Sequence, residues 1–244
     1  QALTGTDPDR WEEEKRRGLT IDLGFAFTQI AEQQIGFIDV PGHVRFLRNM
    51  LAGIGGIDAC MFVVAANEGW KPQTEEHLRI LDALGITRGV IVLTKTDLVD
   101  ADALALTLDS VHRHVRSTFL EAAPVVQVSV HNSATLDTLR NTLSNLIASL
   151  PPVINTHQPR IWVDRSFAAK GSGTVITGTL TGSPLSIGDE LMVQPTNVAV
   201  KVRAIQSNGI SLDKLEAGNR CALNITGVDH LDINRGDVLV VDGQ

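Results

Sequence analysis

The chain has 244 residues, 43% of them hydrophobic and 20% charged, and its 21 Lys and Arg against 28 Asp and Glu leave a formal net charge of −7. That composition is globular, has room for two ordinary domains and excludes the disordered and fibrous classes. The acidic balance excludes a generally basic nucleic-acid binder, so any RNA contact has to come from a local patch.

No run approaches the ~18 apolar residues of a membrane span, no charged-then-apolar leader is visible, and no membrane partner is expected. Cys60 and Cys221 form no spaced framework, which suits a reducing compartment and a cytoplasmic location. The opening "QALTG" reads as the middle of a helix, and the chain is expected to be a fragment. "KRRGLTIDLGF" then places Thr20 in a Gly-preceded loop before a strand. Next come the β-branched runs "GFIDV", "ACMFVVAA", "GVIVLTK" and "VVQVSV", separated by helical stretches such as "TEEHLRILDAL", where Leu78, Leu81 and Leu84 fall on one stripe. This alternation predicts a parallel α/β sheet covered on both faces. "LPPVINTHQP" reads as a linker. Beyond it the hydrophobic period changes to two in "RIWVDRSF", "GTVITGTLTG", "DELMVQP", "VKVRAIQ", "RCALNITG" and "DVLVVDG", which predicts a small antiparallel β-barrel. The expected division is a nucleotide-binding domain over 1–152, a linker over 153–159 and the barrel over 160–244.

Ligands of an open parallel sheet sit outside the carboxyl ends of its strands, so the residues that close the apolar runs carry the functional reading. "FIDVPG" delivers Asp39 and then Gly42; "VIVLTKTD" delivers Thr94, Lys95 and Asp97; "VVQVSV" delivers Ser129. Asp39 can hold the hydration shell of Mg²⁺, and the Thr20 hydroxyl can serve the same ion. Gly42 lets a backbone N–H approach a terminal phosphate with no side chain in the way. Asp97 can accept both N1–H and N2–H of guanine, a bidentate pair that adenine cannot offer, and Lys95 can lay its stem along the base. Each element alone has a plainer reading: Asp-x-x-Gly is a common turn, and Asp97 could cap a helix. Their order, each at the strand end where the fold would need it, points to a guanine-nucleotide site.

The stretches "RRGLTIDLGF", "DVPGHVRFLRNML", "VVAANEGWKPQTEEHLRIL" and "TKTD" resemble the translational GTPases through nearly all of the first half, and "GSGTVITGTLTG" and "INRGDVL" resemble the second domain of elongation factor Tu and its relatives. Within that family the chain is most similar to the selenocysteine-specific elongation factors, through "TIDLGF" and through Thr94 where most relatives carry Asn. The resemblance implies a P-loop GTPase-type doubly wound sheet followed by the domain II barrel, with GTP or GDP and Mg²⁺ as ligands. By position, Asp39, Gly42, Thr94, Lys95, Asp97, Ser129 and Val130 would bind nucleotide, Val130 replacing the family's usual Ala after Ser129. Thr20 and Asp39 would hold the metal, and His43 would orient the attacking water. The implied partners are selenocysteyl-tRNA, the ribosome and a selenoprotein mRNA hairpin read by C-terminal domains beyond this sequence. One departure stands out: the phosphate-cradling Gly-x-x-x-x-Gly-Lys-Thr/Ser has no counterpart. That loop and the first strand are expected to precede Gln1, the strand lying between "GFIDV" and "ACMFVVAA", and the chain as it stands is expected to bind GTP weakly or not at all.

The cargo reading rests on charge. Elongation factor Tu has acidic residues matching Asp164 and Arg165 and an asparagine matching Arg220, so two cations enter the pocket here. A selenol is more acidic than a thiol, whose reference pKa is ~8.5, and would be held as the anion in preference to neutral serine. The plainer reading is that Arg165 and Arg220 pair with Asp164 or with solvent. Two alternatives remain for the whole: a factor of the elongation factor Tu type carrying ordinary aminoacyl-tRNA, or a non-hydrolysing module that binds RNA or a partner.

Overall fold

The computed structural model describes residues 1–8, 12–17, 20–42, 56–152 and 155–243. The described residues divide into two compact units, the first holding 1–42 and 58–150 and the second 56–57 and 151–243.

In the first unit, helix α1 (Glu12–Arg17) precedes strand β1 (Gly24–Ile30), which pairs antiparallel with β2 (Gln33–Asp39) from Gly24 opposite Asp39 to Ile30 opposite Gln33. The hairpin turns on Ala31 and Glu32 at φ 50° and 65°, the pair of positive values that a two-residue turn with matching twist needs, although neither residue is a glycine. Gly24 is required by packing, because a Cβ there would lie 2.7 Å from the Pro8 Cβ and 3.2 Å from the Asp39 Cβ.

A separate sheet holds three parallel strands in the order β3 (Cys60–Ala65), β4 (Gly89–Thr94), β5 (Val125–Gln127). The central strand is buried from Gly89 to Leu93 on both faces, as its unbroken apolar run demands. Helix α2 (Pro72–Ala83) starts on a proline, and α3 (Ala101–His114) is capped by Asp100, whose Oδ1 accepts from the Ala103 N–H at 2.8 Å. Helix α4 (Ser133–Ala148) sets Leu139 and Leu143 against Val90, Val92, Val126 and Val128. On α2, Leu78 and Leu81 are buried, but Leu84, expected on the same stripe, is 46% exposed. Successive steps of three residues drift by about 60° around a helix, and Leu84 already lies at the C-cap before Gly85 at φ 73°. Strands β2 and β3 lie in different sheets, consistent with the expectation that they are not neighbours.

The second unit contains β6 (Arg160–Ala169), β7 (Gly173–Thr181), β8 (Leu185–Ser186), β9 (Glu190–Gln194), β10 (Val198–Ser207), β11 (Ile210–Leu212), β12 (Lys214–Leu215), β13 (Arg220–Thr226) and β14 (Val238–Val240). Six of them close a barrel in the order β10-β13-β7-β6-β14-β9, with β9 pairing back to β10 and every pair antiparallel. These six are the period-two runs of the sequence, and their inward residues, among them Ile161, Ile176, Leu180, Val193, Leu223 and Leu239, form one core. The β6–β7 ladder slips once: Val163 faces Gly178 and Arg165 faces Thr177, so Asp164 is an extra residue, a β-bulge. Gly178 lets the strands approach there, since a Cβ on it would lie 2.2 Å from the Trp162 carbonyl oxygen.

Candidate functional site

The ends of β4 and β5 come together. Thr94 closes β4 and its hydroxyl donates to the Val64 carbonyl at 3.5 Å, so a side chain lacking the family's amide still ties this strand end to β3. Lys95 then takes a left-handed backbone (φ 56°, ψ 34°) and turns the chain into a short 3₁₀ segment, Thr96–Leu98, that presents Asp97 to solvent. The Ser129 side chain hydrogen-bonds the Asp97 carboxylate and holds it below the usual carboxylate range, helped by the backbone amide of Asp97 itself. Ser129 is buried, and its Oγ accepts the His131 N–H at 3.2 Å, which leaves the hydroxyl proton for Asp97.

A residue that the sequence motifs do not single out, Thr135, braces this loop: its hydroxyl oxygen accepts the Ser129 N–H at 3.1 Å, and its one proton has the carbonyls of Asn132 (2.7 Å) and Ser129 (3.0 Å) within reach. Val130 is exposed on the same loop. Lys95 Nζ pairs with Glu68 Oε1 at 3.0 Å, and that contact lowers the pKa of the Glu68 carboxyl.

At the end of β2, the Thr20 hydroxyl donates to Asp39 Oδ2 at 3.4 Å, which brings together the two residues expected at the metal. Gly42 is exposed, and nothing lies within 4 Å of where its Cβ would stand, so its backbone borders open space. His77 of α2 hydrogen-bonds the Gly42 backbone, and burial holds its imidazole below the ordinary histidine range. His43 lies outside the described residues. These groups fit a guanine nucleotide with Mg²⁺. The donors beside Asp39 are hard oxygens, and among the described residues no cluster of three or more His, Cys, Asp or Glu is present that would suit a metal caged by protein alone.

In the barrel, the bulge buries Asp164, whose side chain is 7% exposed. Arg220 Nη2, from a side chain 17% exposed, lies 2.9 Å from both carboxylate oxygens, and the Thr177 hydroxyl donates to Oδ1. The Asp164 carbonyl accepts from Arg235 Nε at 2.8 Å. Arg165, next along the bulge, is half-buried. Arg220 is thus an ion-pair partner of Asp164. Arg235 lies in "INRGDVL", within a turn-like stretch whose sequence gives no sign that the chain folds back onto β6.

An α/β unit with polar pairs at its strand ends, followed by a closed six-stranded barrel, is the arrangement of a translational GTPase. The sequence model of the elongation factor Tu GTP binding domain matches residues 3–149, and the chain belongs to that family. A selenocysteine-specific elongation factor from Desulfomicrobium baculatum is 43% identical over 240 residues, 98% of this chain and 38% of that protein. The crystal structure of a bacterial selenocysteine-specific elongation factor superposes with a TM-score of 0.92 at 38% identity, covering 99% of this chain and 42% of that one. SelB from Methanococcus maripaludis in complex with the GTP analogue GppNHp superposes with a TM-score of 0.86 at 33% identity, covering 92% of this chain and 50% of that one. The chain spans about two-fifths of the length of the curated relatives it matches.

Proposed function

We propose that the whole protein is a cytoplasmic GTPase that carries selenocysteyl-tRNA to the ribosome, with residues 1–152 as its nucleotide domain, 153–159 as a linker and 160–244 as its domain II barrel. In this reading Asp97 accepts the guanine N–H groups, oriented by Ser129, with Val130 and Lys95 beside the base and Thr94 bracing the strand end. Asp39 and Thr20 hold Mg²⁺, which offsets charge on the phosphates when bound. The Gly42 backbone faces the terminal phosphate, and His43 orients the attacking water.

The observation that carries the cargo assignment is the bulge, which sets Asp164 and Arg220 in contact beside Arg165. Asp164 orients the Arg220 guanidinium by engaging Nη2, with the Arg235 guanidinium on its carbonyl and Arg165 next along the strand. Guanidiniums gathered at this point would favour a selenolate over the neutral hydroxyl of serine. A second reading, delivery of ordinary aminoacyl-tRNA, draws support from the same ion pair, because Asp164 neutralises one of the two cations. The two are separated in the full-length protein by Arg165→Ala, which leaves the ion pair in place. Weaker binding of selenocysteyl-tRNA with seryl-tRNA unchanged is expected, whereas an equal loss for both would assign Arg165 to the tRNA backbone.

A further inference from the structure

The loop that follows β5 is pinned by a side chain outside the nucleotide motifs. Past Gln127 the ladder runs one step further, with the Val128 N–H on the Leu93 carbonyl at 2.7 Å. It is followed by Ser129, only 5% exposed, and a buried backbone N–H beyond a sheet still needs an acceptor. The Thr135 hydroxyl oxygen supplies one at 3.1 Å. Thr135 is the third residue of α4, the position from which a polar side chain commonly reaches back to the N–H of the capping residue. Here the cap, Asn132, gives its N–H to the Ser129 carbonyl at 3.1 Å and accepts the Ala134 N–H on Oδ1 at 3.1 Å. The Thr135 side chain reaches further back, and its proton has the Ser129 and Asn132 carbonyls at 3.0 and 2.7 Å. One hydroxyl thus lies against both peptide groups of Ser129, and the side chain between them is held in direction: its Oγ takes the His131 N–H at 3.2 Å and donates to Asp97. The facing loop is tied to the same place, since the Thr96 N–H lies 3.4 Å from the Val128 carbonyl.

We propose that Thr135 is a positioning residue for base recognition: by holding the peptide groups of Ser129 it aims the Ser129 hydroxyl at Asp97 and so sets the carboxylate that meets guanine. The proposal rests on the guanine-nucleotide reading given above. Asp97 is exposed on its short 3₁₀ segment. An exposed aspartate has several rotamers open to it, and it must keep one of them to take N1–H and N2–H of guanine together. Loss of the Thr135 hydroxyl lets the Ser129 peptide tilt, and the Ser129 side chain tilts with it. The bidentate contact suffers first, because it tolerates less rotation than a single hydrogen bond.

The test uses the full-length protein with Thr135→Val, which keeps the shape and removes the hydroxyl, and Thr135→Ser, which keeps the hydroxyl. The probes are GDP and IDP, since hypoxanthine lacks the 2-amino group and offers Asp97 a single N–H. Wild-type protein is expected to prefer GDP. In Thr135→Val that preference should shrink several-fold, chiefly through weaker GDP, and in Thr135→Ser it should be retained. Amide exchange at Ser129 should speed up by about tenfold or more in Thr135→Val, with the amides of Val90 and Val92 unchanged. An unchanged preference in Thr135→Val would overturn the proposal even if both nucleotides bound more weakly, because a loosened loop with no effect on Asp97 weakens both alike. Unchanged exchange at Ser129 would overturn the brace itself. Equal acceleration at every amide would make Thr135 a stability residue only. A wild type that bound GDP and IDP alike would overturn the base reading and the proposal with it, a failure told apart because it shows before any substitution is made.

Discussion

The two units use similar β-branched runs, and their described strands are shielded to different degrees. In the barrel each of the six closing strands has a neighbour on both sides, and Ile161, Ile176 and Leu223 are wholly shielded. In the first unit the described strands form a hairpin and a three-stranded sheet. There β4 is buried on both faces while its neighbour β3 leaves Val63 49% exposed in mid-strand. Apolar composition therefore does not by itself decide burial; a strand is shielded when its sheet closes or when it lies in the centre.

The comparison is broken most severely by attacking the barrel through its buried ion pair. Arg220→Ala leaves Asp164 buried without its main partner and should cost about 3–5 kcal/mol, read as a lower urea midpoint with Trp162 fluorescence as reporter. A loss under about 1 kcal/mol would mean that water reaches Asp164 and that the pair behaves as a surface contact. One step down, Leu223→Ala should cost about 2–5 kcal/mol, whereas Val63→Ala in the first unit should stay within about 0.5 kcal/mol, as exposed sites do. Similar losses at the two positions would erase the contrast between the barrel interior and the exposed face of β3.

The proposed nucleotide site sharpens the contrast because Asp97 and Lys95 sit exposed on a loop. In the full-length protein Asp97→Asn should weaken GTP by about tenfold or more through loss of a charged acceptor, yet leave the melting temperature nearly unchanged. Equal GTP affinity in a calorimetric titration would remove Asp97 from base recognition. The smallest effect concerns the thiols, where the units agree. Burial pushes Cys60 and Cys221 up from 9.0 to about 12, so the folded chain keeps protons that the unfolded chain releases. Their contribution to stability is present in full below pH 9 and is lost as pH rises from 9 toward 12. Neither thiol should react with iodoacetamide at pH 8 until the chain unfolds, and rapid labelling of native protein would contradict their burial.

Much of this was legible in the residues. Alternation located all six closing strands because side-chain period is a local property, and the strand-end motifs picked out Thr94, Lys95, Asp97 and Ser129, which meet because the parallel β4 and β5 bring their carboxyl ends to one side, while Asp39 closes β2 of the separate hairpin. The rest depends on partners distant in sequence. Strict alternation would turn Asp164 outward after inward Val163; only the mismatch with β7 makes it the extra, buried residue. Glu14 sits in a helix of charged residues that reads as a solvated face, and its burial is decided by a loop seven residues on. Thr135 and His77 are ordinary helical residues until the β5 loop and the Gly42 turn fold against them.

The bulge also decides how the buried Asp164–Arg220 pair could be gained or lost. Because Val163 and Arg165 face the adjacent residues Gly178 and Thr177, the strand is one residue longer than its partner at this point. Loss of the codon for Asp164 would leave both flanking ladders with the partners they have now, and no residue before or after it would change faces. The buried Asp164–Arg220 pair rests on an insertion into the sheet's register, so a single in-frame deletion could abolish it and a single insertion restore it, with the rest of the barrel keeping its pairing throughout.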